Sequence, residues 1–234
     1  MKVIAHRGFS GVYPENTMLA FDKALEAGCT AIELDVHFSK DGSLVIIHDE
    51  TLDRTTDAVG FVRDFTLAEL QKCNAGTINT FQTIPTLDEY FIWARNHGIF
   101  TNIEIKTDRY YYQGIEQATL DLINKHDLKD QCLISSFNHG SVIRMKQLDS
   151  SILCAFLVDA KGLGAAGAYC ASFGVEYYHP NGVSLTQQAV EECHDHGVKV
   201  NVWTVDSLDR MHDMNSWNVD GVITNYCDAV LKLV

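Results

Sequence analysis

The sequence predicts an α/β protein, a TIM or (β/α)8 barrel, and two observations lead to that prediction. Eight short β-branched runs recur along the chain, and amphipathic segments of helical period separate most of them. The length of 234 residues also fits such a barrel, which typically needs ~250 residues. An open doubly wound sheet is the competing architecture, because it alternates strands and helices in the same way.

The predicted strands and helices follow one another in a regular order. Several amphipathic segments, such as 16–28, 86–98 and 185–197, end in a glycine, which favours a left-handed helix cap just before the next strand. The predicted strands are VIAHRG (3–8), AIELDV (31–36), IFTNIEIK (99–106), QCLISSF (131–137), ILCAFLV (152–158), VEYYHP (175–180), VKVNVWTV (198–205) and DGVITN (220–225).

An antiparallel hairpin is predicted after the second strand, within AIELDVHFSKDGSLVIIHD at 31–49. A two-residue Asp41-Gly42 turn would place Asp35 opposite His48 on the returning strand. Because a slip of one residue moves a side chain to the other face of a strand, the turn length matters here. Shortening the turn by one residue should therefore damage whatever site these residues form.

Residues 50–85 follow the hairpin and have no repeating pattern beyond one short helix, predicted from Leu67 to Asn74. We interpret them as a small inserted subdomain at the mouth of the barrel, where loops often carry function. The prediction is a single barrel domain over residues 1–234 with this insertion at about 50–85.

The composition is that of a soluble globular protein, with 46% hydrophobic and 21% charged residues. The net charge of −13 argues against nucleic acid as a partner, since its phosphates need basic residues to neutralise them. The apolar stretch at the N-terminus is too short for a signal peptide, and no window is long enough to span a membrane. The seven cysteines are scattered, which favours buried free thiols and a cytoplasmic protein. The sequence leaves open whether the protein forms a homo-oligomer.

Acidic side chains stand where two of the predicted strands end, which is where barrel enzymes build their sites. Glu33 and Asp35 are two residues apart, so both project from the same face of a strand, and Glu104 repeats the arrangement on the next barrel strand. Carboxylates held close together in a partly buried site need a proton or a cation between them. Oxygen ligands without cysteine suit Mg²⁺ or Ca²⁺, although salt-bridged structural carboxylates remain an alternative.

Basic side chains stand at the same strand ends. His6 and His48 are candidates for general acid and base, because imidazole titrates near neutrality. Arg7 and Lys106 add positive charge, and the planar arginine fork suits two oxygens of a phosphate. A phosphate-containing substrate bound by these groups would also offset the acidic charge of the protein. Trp203 is either core or a pocket wall.

Several short motifs, in the order in which they occur along the chain, resemble those of a known family, the glycerophosphodiester phosphodiesterases. The resemblance rests on HRG at 6–8, PENT at 14–17, ELDV at 33–36, DGSLVIIHD at 41–49, NIEIK at 102–106, VNVWTV at 200–205 and the closing GVITN at 221–225, and so covers essentially the whole chain. One departure stands in the last loop, where TNYCD replaces the family's frequent TDYPD.

The resemblance implies a TIM barrel and metal-dependent hydrolysis of glycerophosphodiesters to glycerol 3-phosphate and an alcohol. It implies roles that match the residues: the two histidines as acid and base, the three carboxylates as metal ligands, and Arg7 and Lys106 as phosphate contacts. It also implies that Glu15 and Asn16 support the site and that Phe137 and Trp203 line a glycerol pocket.

Besides a metal-dependent sugar isomerase on a similar barrel, two other functions stay open from the sequence alone. One is a phospholipase-type phosphodiesterase that acts on lysophospholipid, for which Tyr110, Tyr111 and Tyr112 would be an apolar anchor. The other is a catalytically silent ligand-binding barrel. Neither the head-group alcohol, the attacking oxygen, nor the division of acid and base between the histidines follows from the sequence.

Overall fold

The computed structural model describes residues 1–233 and contains one nine-stranded sheet. Eight parallel strands close into a barrel, because the first strand pairs with both the second and the last. The predicted barrel, its eight strands and the extra hairpin are therefore confirmed. The strands are β1 Lys2–His6, β2 Ala31–Phe38, β3 Leu44–Ile46, β4 Phe100–Ile105, β5 Cys132–Ser136, β6 Leu153–Val158, β7 Tyr177–Pro180, β8 Lys199–Val202 and β9 Gly221–Thr224.

Helices follow most of the barrel strands and cover the outside of the sheet. Gly28, Gly98 and Gly197 all have positive φ values, as the sequence predicts for glycines that end helices. The helices are α1 Met18–Glu26, α2 Leu67–Leu70, α3 Leu87–His97, α4 Ile115–His126, α5 His139–Leu148, α6 Ala166–Ser172, α7 Gln187–Asp195, α8 Leu208–Ser216 and α9 Cys227–Val230.

The main hydrophobic core lies between the barrel and its helices and takes residues from nearly every element. Its largest fully buried side chains include Tyr90, Phe21, Phe91 and Phe156. All seven cysteines are buried free thiols, as predicted from their apolar surroundings.

The predicted register of the hairpin is wrong by one residue. β2 and β3 pair with Val36 opposite Ile46, and the Ile47 N–H donates to the Asp35 carbonyl, so Asp35 faces Ile47 and not His48. The loop has three residues, 40–42, because the Ser39 N–H donates to the Ser43 carbonyl; within it the Gly42 N–H donates to the Ser39 carbonyl, and Gly42 has a φ of 79°.

Side chains explain the longer loop. Ser39 Oγ donates to Asp41 Oδ1 at 2.6 Å and accepts from the Ser43 N–H at 2.9 Å. Asp41 Oδ1 also accepts from the Leu67 N–H at 3.0 Å, which joins the turn to the segment beyond it. β3 ends at Ile46, so the alternation of a strand no longer decides where His48 points.

Residues 50–85 carry a separate hydrophobic cluster beside the hairpin. Its predicted helix is shorter than expected, with α2 ending at Leu70, and a short 3₁₀ turn, Val62–Asp64, precedes it. The division of the chain into one domain with an insertion stays a prediction. The cluster contains Val45, Ile47, Leu52, Val62, Leu70, Cys73, Ala75 and Ile84.

None of the helices within residues 1–233 has the length and apolar composition that are needed to cross a membrane.

Candidate active site

Three buried carboxylates meet at the C-terminal end of the barrel. Because β2 and β4 are parallel neighbours, Asp35 on β2 stands beside Glu104 on β4. Glu33 lies on β2, two residues before Asp35. One oxygen from each of the three carboxylates lies within 4.8 Å of the others. Each of the three residues is at most 8% exposed. The sequence prediction that these side chains converge agrees with this geometry.

The carboxylates perturb one another because they are buried close together. Burial, together with the negative charges of Asp35 and Glu104, raises the pKa of Glu33 well above its usual value. Burial also raises the pKa of Glu104. Burial acts in the same direction on Asp35, but the nearby charges of His48 and Arg7 outweigh it and lower the pKa of Asp35.

The residues after β1 hold two of these carboxylates in place. Arg7 has a left-handed backbone with a φ of 56°, which directs its N–H to Glu33 Oε2 at 2.9 Å. Asn16, also at positive φ, donates from Nδ2 to Asp35 Oδ2 at 2.9 Å. Asparagine tolerates this conformation better than most residues, which suits it to the position. The supporting place that the sequence predicts for Asn16 is thus one of direct contact with Asp35.

A divalent cation fits the donor set. Asp35 Oδ1 is buried and has no hydrogen-bond partner among the described residues, so one oxygen of the cluster faces the shared space without a proton donor. Three carboxylates supply the oxygen ligands that Mg²⁺ and Ca²⁺ prefer. Glu33, Asp35 and Glu104 are therefore the residues that could hold such an ion.

His6 points one ring nitrogen toward the carboxylates and the other toward β9. Its Nδ1 lies 2.7 Å from Asn225 Oδ1, and Asn225 Nδ2 donates to Asp206 Oδ2 at 2.7 Å. Because the carboxylate of Asp206 requires the donor end of the amide, Asn225 presents its oxygen to His6 and Nδ1 carries the proton. Nε2 of His6, 3.9 Å from Glu33 Oε2, then holds the lone pair.

The surroundings of His6 favour the neutral ring. Burial and the neighbouring charge of Arg7 lower the pKa of His6 to about 4. A neutral imidazole with a free Nε2 can accept a proton from a group in the cavity.

His48 has a different partner. Its Nδ1 donates to Asp49 Oδ1 at 2.6 Å, and its Nε2 lies 3.4 Å from Lys106 Nζ. The carbonyl of His48 lies 3.1 Å from Nε2 of buried His37, so both the backbone and the ring are fixed. His48 therefore joins the cluster although its register differs from the one predicted.

Two basic groups and two aromatic rings complete the site. Lys106 Nζ donates to Glu104 Oε1 at 2.8 Å, and the Nε of Arg7 lies 3.6 Å from Asp35 Oδ2. The rings of Phe137 and Trp203 meet edge to face, with centroids 5.3 Å apart. Both cations thus lie beside the carboxylate cluster.

Two cavities meet above the barrel. The inner one, of about 40 Å³, is lined by His6, Glu33, Asn102 and Glu104 among others. The outer one has a volume of about 650 Å³ and extends toward residues 49–51, 61 and 108–110. The side chains that line both cavities are Arg7, His48, Phe137 and Trp203.

The structure places every predicted site residue at this end of the barrel, with Glu15 at its rim. Sequence reasoning missed Asp49, the partner of His48, and Asp206, which binds the amide of Asn225 that His6 contacts. Asp49 directly follows His48, so the adjacency was a usable signal. Asp206 follows a barrel strand by a few residues, and Arg54, which donates to Asp49 and Glu15, lies in a segment without a pattern, so neither was marked by periodicity. Tyr110, Tyr111 and Tyr112 do not form one apolar surface, since Tyr112 is buried.

The relatives of the chain agree with the fold and with the family that the sequence resembles. A family model, the glycerophosphoryl diester phosphodiesterase family, matches residues 6–229. The chain is 40% identical to a glycerophosphodiester phosphodiesterase of Caldanaerobacter subterraneus subsp. tengcongensis, over 99% of this chain and 97% of that protein. It is 37% identical to one of Bacillus altitudinis, over 99% of this chain and 97% of the relative.

A solved structure is also similar. A phosphodiesterase of Oleispira antarctica, in complex with the product sn-glycerol-3-phosphate, superposes with a TM-score of 0.91 at 30% identity, covering 99% of this chain and 96% of that one. These matches confirm the prediction of an enzyme that hydrolyses phosphoric diesters. The chain belongs to the glycerophosphoryl diester phosphodiesterase family.

Proposed function

We propose that this enzyme hydrolyses glycerophosphodiesters to glycerol 3-phosphate and an alcohol, with a bound divalent cation and with His6 as base and His48 as acid. One observation carries the proposal. Two histidines with different hydrogen-bond partners stand beside three buried carboxylates, and both line the same inner cavity. The product bound to the Oleispira antarctica relative supports glycerol 3-phosphate as the product here.

Glu33, Asp35 and Glu104 would hold the cation, Mg²⁺ or Ca²⁺. A cation bound there would offset the charge of the phosphate and stabilise the negative charge that develops on its oxygens in the transition state. Arg7 and Lys106 lie beside the carboxylates and add positive charge at the same place. Both are held by carboxylates, so each is already ordered when the substrate arrives.

The two cavities support a division of roles between the histidines. His6 lines the inner cavity, whereas His48 also lines the outer one, which is large enough for varied alcohol groups. Glycerol would occupy the inner side against Phe137 and Trp203, and the leaving alcohol the outer side. His6 would then accept the proton of the attacking oxygen, which is a water or a glycerol hydroxyl.

His48 would donate a proton to the departing alkoxide. Its partner is the carboxylate of Asp49, which offsets positive charge on the ring, whereas the partner of His6 is the uncharged amide of Asn225. Asp49 and Asn225 also fix the tautomer of each ring, so that Nε2 is the nitrogen that exchanges protons in both.

Glycerophosphodiester hydrolysis would place the enzyme in glycerol and lipid metabolism. The buried free thiols support the prediction of a cytoplasmic enzyme, because thiols stay reduced in that compartment. Homo-oligomer formation stays a prediction.

Product analysis tests the proposed function. We expect the wild-type enzyme to release glycerol 3-phosphate from glycerophosphocholine, glycerophosphoethanolamine and glycerophosphoglycerol, measured by ³¹P NMR. The double variant His6→Ala/His48→Ala is the control for contaminating activity and should release none. Lysophosphatidylcholine should be a far poorer substrate. Turnover of the lysophospholipid alone would favour the phospholipase-type function, and binding of all of these without turnover would favour a silent barrel.

A further inference from the structure

Arg54 joins two carboxylates at the rim of the candidate active site. It lies in residues 50–85, outside the barrel, and its side chain is 48% exposed. Nε and Nη2 donate to Asp49 Oδ2 and Oδ1 at 2.7 and 3.0 Å. Nη1 and Nη2 donate to Glu15 Oε2 and Oε1 at 2.8 Å each. One guanidinium group therefore binds both carboxylates through two oxygens each.

Each carboxylate also binds a residue of the proposed mechanism, and it does so through the oxygen that accepts from Nη2 of Arg54. Asp49 Oδ1 accepts from His48 Nδ1 at 2.6 Å, and Glu15 Oε1 accepts from Arg7 Nη1 at 2.8 Å. Nη2 of Arg54 thus lies between the acceptor for His48 and the acceptor for Arg7. The five side chains form one continuous chain of hydrogen bonds.

Without Arg54, the hydrogen bonds that connect Asp49 to Glu15 would be lost. Asp49 and Glu15 are both partly exposed, and without the guanidinium between them their negative charges would repel each other, which favours other rotamers. Only a planar fork can bind both of them with fixed geometry, and a lysine ammonium cannot reproduce it. The rotamers of Asp49 and Glu15 in turn set where the ring of His48 and the guanidinium of Arg7 lie.

We propose that Arg54 is a positioning residue, which holds the general acid His48 and the phosphate contact Arg7 in one geometry without itself touching the substrate. The inference rests on the proposed function, because it needs His48 to protonate the leaving alcohol. It gives residues 50–85 a part in the reaction, because Arg54 connects that segment to both groups through Asp49 and Glu15.

The expected result depends on the leaving group. With glycerophosphocholine, whose alkoxide must be protonated, Arg54→Met should lower kcat by ~10- to 100-fold, because a misplacement of about 1 Å can cost that much. With glycerophospho-p-nitrophenol, whose anion leaves without a proton, kcat should stay within ~3-fold of wild type. KM should rise for both substrates, since Arg7 is displaced in both cases.

Arg54→Lys and Lys72→Met complete the experiment. Arg54→Lys keeps the positive charge but lacks the planar guanidinium. Its kcat should fall less than that of Arg54→Met, with the same dependence on the leaving group. This variant also provides the test if Arg54→Met does not fold. Lys72→Met removes an exposed charge from the same segment and should behave as wild type.

Two outcomes would overturn the inference: a loss of kcat that is equal for both substrates, or an Arg54→Met enzyme as active as Lys72→Met. Both outcomes are meaningful only if the wild-type enzyme is active on the same substrates. A wild-type enzyme that releases no glycerol 3-phosphate would instead contradict the proposed function.

Discussion

Replacing His48 with alanine should lower kcat on glycerophosphocholine by at least ~10²-fold, the lower bound of what a general acid contributes. The same variant should lose less than ~10-fold on glycerophospho-p-nitrophenol, because that leaving group needs no proton. His6→Ala should abolish turnover of both substrates, since the attacking oxygen loses its base in either case. Steady-state kinetics on the two substrates measures both effects.

The two variants are each other's control. Circular dichroism should show an intact barrel in both, because neither side chain belongs to the hydrophobic core. If His6→Ala is the variant that the nitrophenyl ester rescues, the acid and base assignments are reversed. Near-normal activity of either variant on glycerophosphocholine would contradict the two-histidine mechanism.

Replacing Asp35 with asparagine should remove both cation binding and activity. Asp35 contributes a buried oxygen that has no hydrogen-bond donor among the described residues, and it is one of the three carboxylates of the cluster. We expect the affinity for Mg²⁺ or Ca²⁺, measured by isothermal titration calorimetry, to fall by more than the ~10- to 100-fold that loss of an outer hydrogen-bond partner costs. Glu104→Gln should act in the same direction.

Glu191→Gln is the matched control for the loss of one negative charge. Glu191 lies exposed on α7, away from the site, and its Oε1 accepts a hydrogen bond from Gln187 Nε2 at 2.9 Å. It should keep wild-type affinity and activity. An Asp35→Asn enzyme that still binds the cation as tightly as Glu191→Gln would show that the ion is held elsewhere.

The barrel and the carboxylate cluster could be predicted because both follow from periodicity. Alternation along a strand puts Glu33 and Asp35 on one face, and closure of a parallel barrel brings Glu104 beside them. These relations depend on backbone geometry that nearly any sequence of this pattern would adopt. The strands themselves were marked by their β-branched residues.

The hairpin register could not be obtained in the same way. A two-residue and a three-residue loop are both compatible with Asp41-Gly42, and Gly42 takes a positive φ in either. The choice depends on the side chain of Ser39, which bonds to Asp41 and Ser43 at once. Such local competition between hydrogen bonds has no periodic signature in the sequence.

The pairing of His6 with Asn225 could not be predicted from the sequence either. Asn225 lies 219 residues from His6 along the chain, and only closure of the barrel brings them to 2.7 Å. Arg54 reaches Glu15 from a segment with no repeating pattern, across 39 residues. Contacts of this kind depend on the exact path of loops, which propensity does not specify.

The most direct test of the account is cation removal followed by add-back. Wild-type enzyme treated with EDTA and desalted should release no glycerol 3-phosphate from glycerophosphocholine. Activity should return on addition of Mg²⁺ or Ca²⁺, with Asp35→Asn remaining inactive under the same conditions. Full glycerol 3-phosphate release by the EDTA-treated enzyme, with no gain from either cation, would contradict a cation-dependent reaction at the carboxylate cluster.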